Sequence, residues 1–177
     1  TAVNELDGIT KFKEITNDTH TIELYSKMGS LEQGYNEISL RIKENGTNNY
    51  IKNAEVSWSP LMHMTMMTHS CPYSAVEKVT ENGTLYEGYI MFQMAQNETE
   101  YWDLKIDYTI NGVDYTATDV IDVPASAKRK VNTFTGSDGV KYLVAYIEPH
   151  HPKVAVNDMK VGVWKMQNMM TFPVVDG

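Results

Sequence analysis

Leu85-Tyr86-Glu87-Gly88-Tyr89-Ile90-Met91-Phe92-Gln93-Met94, Trp102-Asp103-Leu104-Lys105-Ile106-Asp107-Tyr108 and Asn111-Gly112 decide the fold. The first stretch has the length and aromatic and β-branched content of a long strand. The second alternates apolar and polar residues with a period of two, which puts one face of a strand inward and one outward. Asn-Gly then supplies two residues tolerant of positive φ, the chemistry of a tight hairpin turn. Residues 113–123 return as the partner strand.

The same period recurs upstream. Thr21-Ile22-Glu23-Leu24-Tyr25-Ser26 alternates, as do Glu37-Ile38-Ser39-Leu40-Arg41-Ile42-Lys43 and Ala54-Glu55-Val56-Ser57-Trp58. No stretch sustains a helical stripe. Short strands joined by polar turns predict an all-β protein, an antiparallel β-sandwich. Four Asn-x-Thr sites, at Asn17, Asn45, Asn82 and Asn97, read first as turns, since two of them are Asn-Gly; glycosylation in a secreted eukaryotic protein is the other reading.

Residues 124–130 (Pro-Ala-Ser-Ala-Lys-Arg-Lys) have the composition of a linker, and a new β pattern follows it at residues 131–134, 141–147 and 159–166. The two halves match at a constant offset of 121 residues. Ile22-Glu23-Leu24-Tyr25 lies over Leu143-Val144-Ala145-Tyr146, and residues 36–42 lie over 157–163. The expected organisation is a sandwich over residues 15–124 and a partial second module of the same type over 130–177. Three strands cannot close a sandwich alone. Either they pack on the first module, or another chain completes them, or the second module is truncated; truncation is the reading taken here.

Composition narrows the function. Of 177 residues, 42% are hydrophobic and 21% charged, ordinary for a globular chain, and the net charge of −8 argues against nucleic acid as a partner. No run approaches the roughly 20 apolar residues of a membrane span. The chain opens on Thr1 with no signal peptide, consistent with a processed, exported protein, a lipid anchor upstream of Thr1 being compatible with this. A single cysteine, Cys71, allows no internal disulfide. There is no Gly-rich phosphate loop, Gly-x-Ser-x-Gly, His-Glu-x-x-His or Cys-x-x-Cys, and the acidic residues (Asp103, Asp107, Asp114, Asp119, Asp122) are spaced as on a solvated sheet face. A non-enzymatic role is expected.

The chemistry is concentrated in Met62-His63-Met64-Thr65-Met66-Met67-Thr68-His69-Ser70, which holds four of 11 Met and two of five His and ends beside Cys71-Pro72. Thioether and imidazole suit Cu(I) better than zinc, magnesium or calcium. The core candidates are Met64, Met67 and His69, with His63, Met66 and Cys71 as auxiliaries. On an extended strand alternate residues face opposite ways, so these side chains meet at one ion only if the chain leaves the strand near Thr65. Met91 or Met94 could add a sulfur. Met also fills cores and forms adaptable binding faces, so packing and a protein-binding face stand beside metal binding. His150-His151-Pro152 reads as a turn, and Met169-Met170 has no nearby His in the sequence.

Met64-Thr65-Met66-Met67-Thr68-His69 fits Met-x-x-Met-x-His at a strand end, followed by Pro72, the Gly88-Tyr89 strand ending in Met94, and the strand bearing Trp102. In that order the chain resembles the YtkA-like/FixH-like β-sandwich domains, over residues 20–123 and partially 140–177. Residues 152–158 are similar to the opening strand of the same domain type. Thr68 replaces the usual Gly before the loop His, residues 96–101 replace a usual Gly-Trp, and Cys71 stands where a small residue is typical. The resemblance implies an immunoglobulin-like fold, a bacterial extracytoplasmic location and copper handling by sequestration or ligand-exchange transfer, with a copper donor or acceptor protein of the cell envelope as partner. The rival expectations are a structural or interaction module of a surface lipoprotein, and a carbohydrate- or ligand-binding sandwich. The last requires Trp58, Trp102 or Trp164 exposed in a cleft; copper handling expects Trp58 and Trp102 buried.

Overall fold

All twelve elements of the computed structural model, which describes residues 2–176, are strands. They are β1 (Thr10–Thr16), β2 (His20–Ser26), β3 (Gly34–Glu44), β4 (Ala54–His63), β5 (Thr68–His69), β6 (Glu77–Lys78), β7 (Tyr86–Phe92), β8 (Tyr101–Ile110), β9 (Val113–Ile121), β10 (Val131–Thr135), β11 (Lys141–Glu148) and β12 (Lys160–Lys165). Three antiparallel sheets result, ordered β1-β2-β3-β7-β6, β5-β4-β8-β9 and β10-β11-β12.

The first two sheets form the expected sandwich. With β1 set aside as an added edge strand, β2-β3-β7-β6 over β5-β4-β8-β9 is the immunoglobulin strand order, with Trp58 buried on the third strand of that scheme. Alternation builds the core between them. Ile22 and Leu24 on β2 and Ile38, Leu40 and Ile42 on β3 point inward, against Trp58 and Met62 on β4 and Trp102, Leu104, Ile106 and Tyr108 on β8. Each fully buried aliphatic or aromatic side chain of this kind contributes about 1.5–3 kcal/mol.

Local chemistry sets the edges. Asn111 (φ +50°) and Gly112 (φ +79°) form the two-residue turn between β8 and β9, with the positive φ values that only such residues adopt cheaply. Asn17 and Asn97 accept hydrogen bonds from backbone amides two and three residues on, the expected turn role. Pro60 lies within β4, where β5 covers only Met62 and His63, so this side of β4 is an edge and the missing N–H breaks no ladder. The Pro60 carbonyl on that side accepts from Ser70 Oγ at 2.7 Å.

The third sheet packs on the outer face of the first. Leu143, Ala145, Ile147, Trp164 and Phe172 bury against Met91, Tyr35 and Tyr89, and Trp164 Nε1 donates to Tyr89 Oη at 3.1 Å. Lys130 pairs with Glu32 at the linker end. Gly34 (φ +111°) lets β3 start here, since a Cβ would sit 3.3 Å from Lys130 Cβ. The three strands therefore take their cover from the sandwich. The repeat offset is not kept in their pairing: Ile22 pairs with Ile42, whereas Leu143 pairs with Trp164 and Val144 with Val163. That slip of one residue sends Val161 and Val163 to the outer face, opposite to their counterparts Leu40 and Ile42.

Candidate soft-metal site

The Met/His window folds as a hairpin at the end of the second sheet. β4 ends at His63, and the Met64 amide donates to the Met67 carbonyl at 2.9 Å, closing a four-residue turn. The chain thus leaves the strand at Met64, one residue before the expected point. Thr68 and His69 then pair back with His63 and Met62. The turn cancels the alternation that would have kept Met64, Met67 and His69 apart.

Those three side chains line one cavity of about 280 Å³. Met94, just beyond β7, and Met166 and Met169, from the turn after β12, line it too. Leu143 and Phe172 provide apolar wall, Gln93 a carboxamide, and Thr133 and Lys141 lie on exposed ground at its margin. Five methionines and one histidine therefore line a single cavity.

His69 is 5% exposed and packs edge-on against Trp102, ring centroids 5.6 Å apart. Its Nδ1 lies 2.7 Å from the Ser70 carbonyl. A carbonyl only accepts, so Nδ1 carries the proton and Nε2 holds a free lone pair. That Nε2 is buried without a partner, and so is Gln93 Oε1. Among the described residues only Arg41 Nε is in the same condition, so two of three such side-chain atoms belong to residues that line this cavity. A buried acceptor left unmatched costs about 1–3 kcal/mol. An imidazole whose one nitrogen is fixed by a carbonyl while the other is left free is the tautomeric arrangement of a metal-ligating histidine.

The auxiliary candidates lie elsewhere. His63 faces the opposite side of β4, with Nε2 2.6 Å from Asp103 Oδ2 and its ring stacked on Tyr101. Met66 is at the tip of the turn, 91% exposed, and does not line the cavity. Cys71 is in the sandwich core, where desolvation pushes its thiol well above the ordinary range. Of the two further sulfurs considered, Met91 on β7 is buried under the third sheet and Met94, beyond the strand, lines the cavity. Met166 and Met169 were not anticipated. Their signal was present as Met166-Gln167-Asn168-Met169, the same Met-x-x-Met spacing as Met64 to Met67, again after a strand end.

No three His, Cys, Asp or Glu side chains gather in a metal-binding group among the described residues. A larger cavity, about 580 Å³ among Lys128, Lys130, Tyr146, His150 and Met159, borders no buried polar atom without a partner among those residues. Trp58, Trp102 and Trp164 are 2%, 0% and 2% exposed, so none offers a stacking platform in a cleft. No helix long and apolar enough to cross a membrane occurs among the described residues. Comparison with protein-family models, curated proteins and solved structures found no match.

Proposed function

We propose that this protein binds Cu(I) through Met64, Met67 and His69 and handles copper by sequestration or ligand-exchange transfer, without turnover chemistry. One observation carries the reading: the free, buried Nε2 lone pair of His69 belongs to a residue lining the same cavity as the Met64 and Met67 thioethers. Neutral soft donors suit a monovalent soft ion. The immunoglobulin strand order and the Met/His turn at the end of β4 also support membership of the YtkA-like/FixH-like kind, with an extracytoplasmic site of action and a copper donor or acceptor protein in the envelope.

The test is competition for Cu(I) between the reduced, metal-free protein and a chromogenic chelator. Met64→Leu/Met67→Leu and His69→Ala are measured alongside, Leu keeping the packing volume while removing sulfur. One-to-one competition by the wild type, lost in both variants, is the expected result. Wild type that leaves the chelator's copper untouched overturns the proposal.

A second reading, a non-catalytic interaction domain, is favoured by the outer face of the third sheet. Phe134 stacks on Tyr142 there, beside Val144, Tyr146, Val161 and Val163, with Phe134 45% and Val161 42% exposed. Concentration-dependent association in sedimentation velocity, abolished by Val161→Asp, would support it.

A further inference from the structure

We infer that Met166 and Met169 complete the Cu(I) site, so that a bound ion staples the third sheet to the sandwich and release of the metal requires this tail to lift. The inference rests on the copper reading and adds to it a lid. Three separate parts of the chain supply the sulfurs: the β4–β5 turn, the segment after β7, and the turn after β12. The first two belong to the sandwich. The last belongs to the third layer, which no β-ladder joins to the others.

Ser70 ties the two sides together at the site. Its N–H donates to the Met169 carbonyl at 2.8 Å. Its carbonyl accepts from His69 Nδ1 and from Gln93 Nε2, at 2.7 and 3.0 Å. One residue thus holds the imidazole in the tautomer that frees Nε2 and anchors the backbone that carries Met169. Toward its own layer the tail is held more fully: the Met166 amide donates to Lys141, the Gln167 amide to Thr171, the Lys165 amide to Pro173 and the Val175 amide to Val163, and Phe172 is buried in the third layer's core. Without the tail, Met67 (already 51% exposed) and His69 would face solvent across an open turn.

Thioethers are neutral, so the completed set carries no charge to offset a dication, and Lys141 at the margin adds a positive one. The site therefore selects Cu(I) and Ag(I) over zinc. An incoming ligand on a partner protein would displace the tail's thioethers before those of the sandwich, because the tail moves with a layer that no β-ladder joins to the sandwich.

The test compares the full chain with Met166→Leu/Met169→Leu, and with Met159→Leu/Met170→Leu, whose methionines are 70% and 51% exposed and do not line the cavity. Cu(I) affinity is read by chelator competition, and amide hydrogen exchange of Ser70 and residues 166–172 with and without one equivalent of Cu(I). The expected result is an affinity loss of roughly tenfold or more, on the scale of disturbed metal shells, in the first variant only. Copper should slow exchange at Ser70 and the tail in the wild type and the control, and not in that variant. Wild-type affinity in Met166→Leu/Met169→Leu, or unchanged tail exchange on loading, overturns the lid while leaving the copper site standing. Failure of the wild type to take Cu(I) from the chelator overturns both.

Discussion

His63 and His69 are six residues apart, and the Met64–Met67 turn gives them unrelated surroundings. His63 is held by Asp103 and stacked on Tyr101, its direct partner on β8. Replacing it with Ala removes a part-exposed hydrogen bond to Asp103, expected to cost no more than about 1 kcal/mol, and should leave Cu(I) affinity unchanged in chelator competition. Cys71 is 1% exposed with its thiol pushed up by burial, so it is shielded from both metal and reagent. A chromogenic disulfide reagent should label it slowly in buffer and rapidly in denaturant, and Cys71→Ala should bind Cu(I) like the wild type. Fast native labelling would show the core open at this point. The shared position of Met64, Met67 and His69 at one cavity was legible in the sequence because spacing within a Met run is a local signal. The burial of Cys71 in the sandwich core was not, since side-chain direction cannot be propagated by parity through a turn. Met166 and Met169 were passed over because no histidine is near them in sequence; the fold brings them to the cavity that His69 lines.

At the scale of elements, the strands were readable wherever the period of two was unbroken, which covers β2 to β4 and β7 to β12. β1 was missed for a physical reason: Lys11 pairs with Tyr25 and Lys13 with Leu24, so Phe12 is a bulge and the apolar pair Phe12 and Ile15 falls three apart. β5 and β6 are two residues each, too short to show a period. The Asn111-Gly112 turn invites a direct test. Gly112 has φ +79°, so Gly112→Ala should destabilise by about 1–2 kcal/mol in urea unfolding, although its Cβ would meet nothing within 4 Å. β2 opens on a buried titratable group. Asn17 Nδ2 donates to Tyr108 Oη, which is free to donate to His20 Nδ1 at 2.8 Å, an arrangement for neutral imidazole. Burial pushes the His20 pKa down, outweighing the upward pull of Glu44. The unfolded chain, with a histidine near 6.5, then takes up the proton first as pH falls. Stability linked to His20 is fully present above about pH 6.5 and declines below it. Urea midpoints should fall from pH 7 to pH 5 more steeply in wild type than in His20→Gln. Equal slopes would remove His20 from the pH dependence.

For the whole molecule, the layer arrangement was the least legible feature. Packing on the first module, completion by another chain and truncation all satisfied the same three strand patterns; the structure packs the third sheet on the sandwich, with Met91 buried and Tyr35 and Tyr89 partly buried against it. A three-stranded sheet with one covered face has little independent stability, so its order should depend on that cover. Trp164 is the largest side chain in the contact, 2% exposed, packed in the cluster with Met91 and bonded to Tyr89. Trp164→Ala should remove about 3–5 kcal/mol from the third layer's docking and nothing from the core between the first two sheets, where Trp58 and Trp102 are untouched. The expected outcome is selective. Limited proteolysis should cut the variant within residues 122–130 and beyond while residues 10–121 resist, and circular dichroism should retain the sandwich. Cu(I) affinity should fall with it, because Met166 and Met169 leave with the layer that carries them. Uniform digestion of the variant, or a single unfolding transition lowered as a whole, would mean that the three layers fold as one unit and that the third sheet is not the separable part.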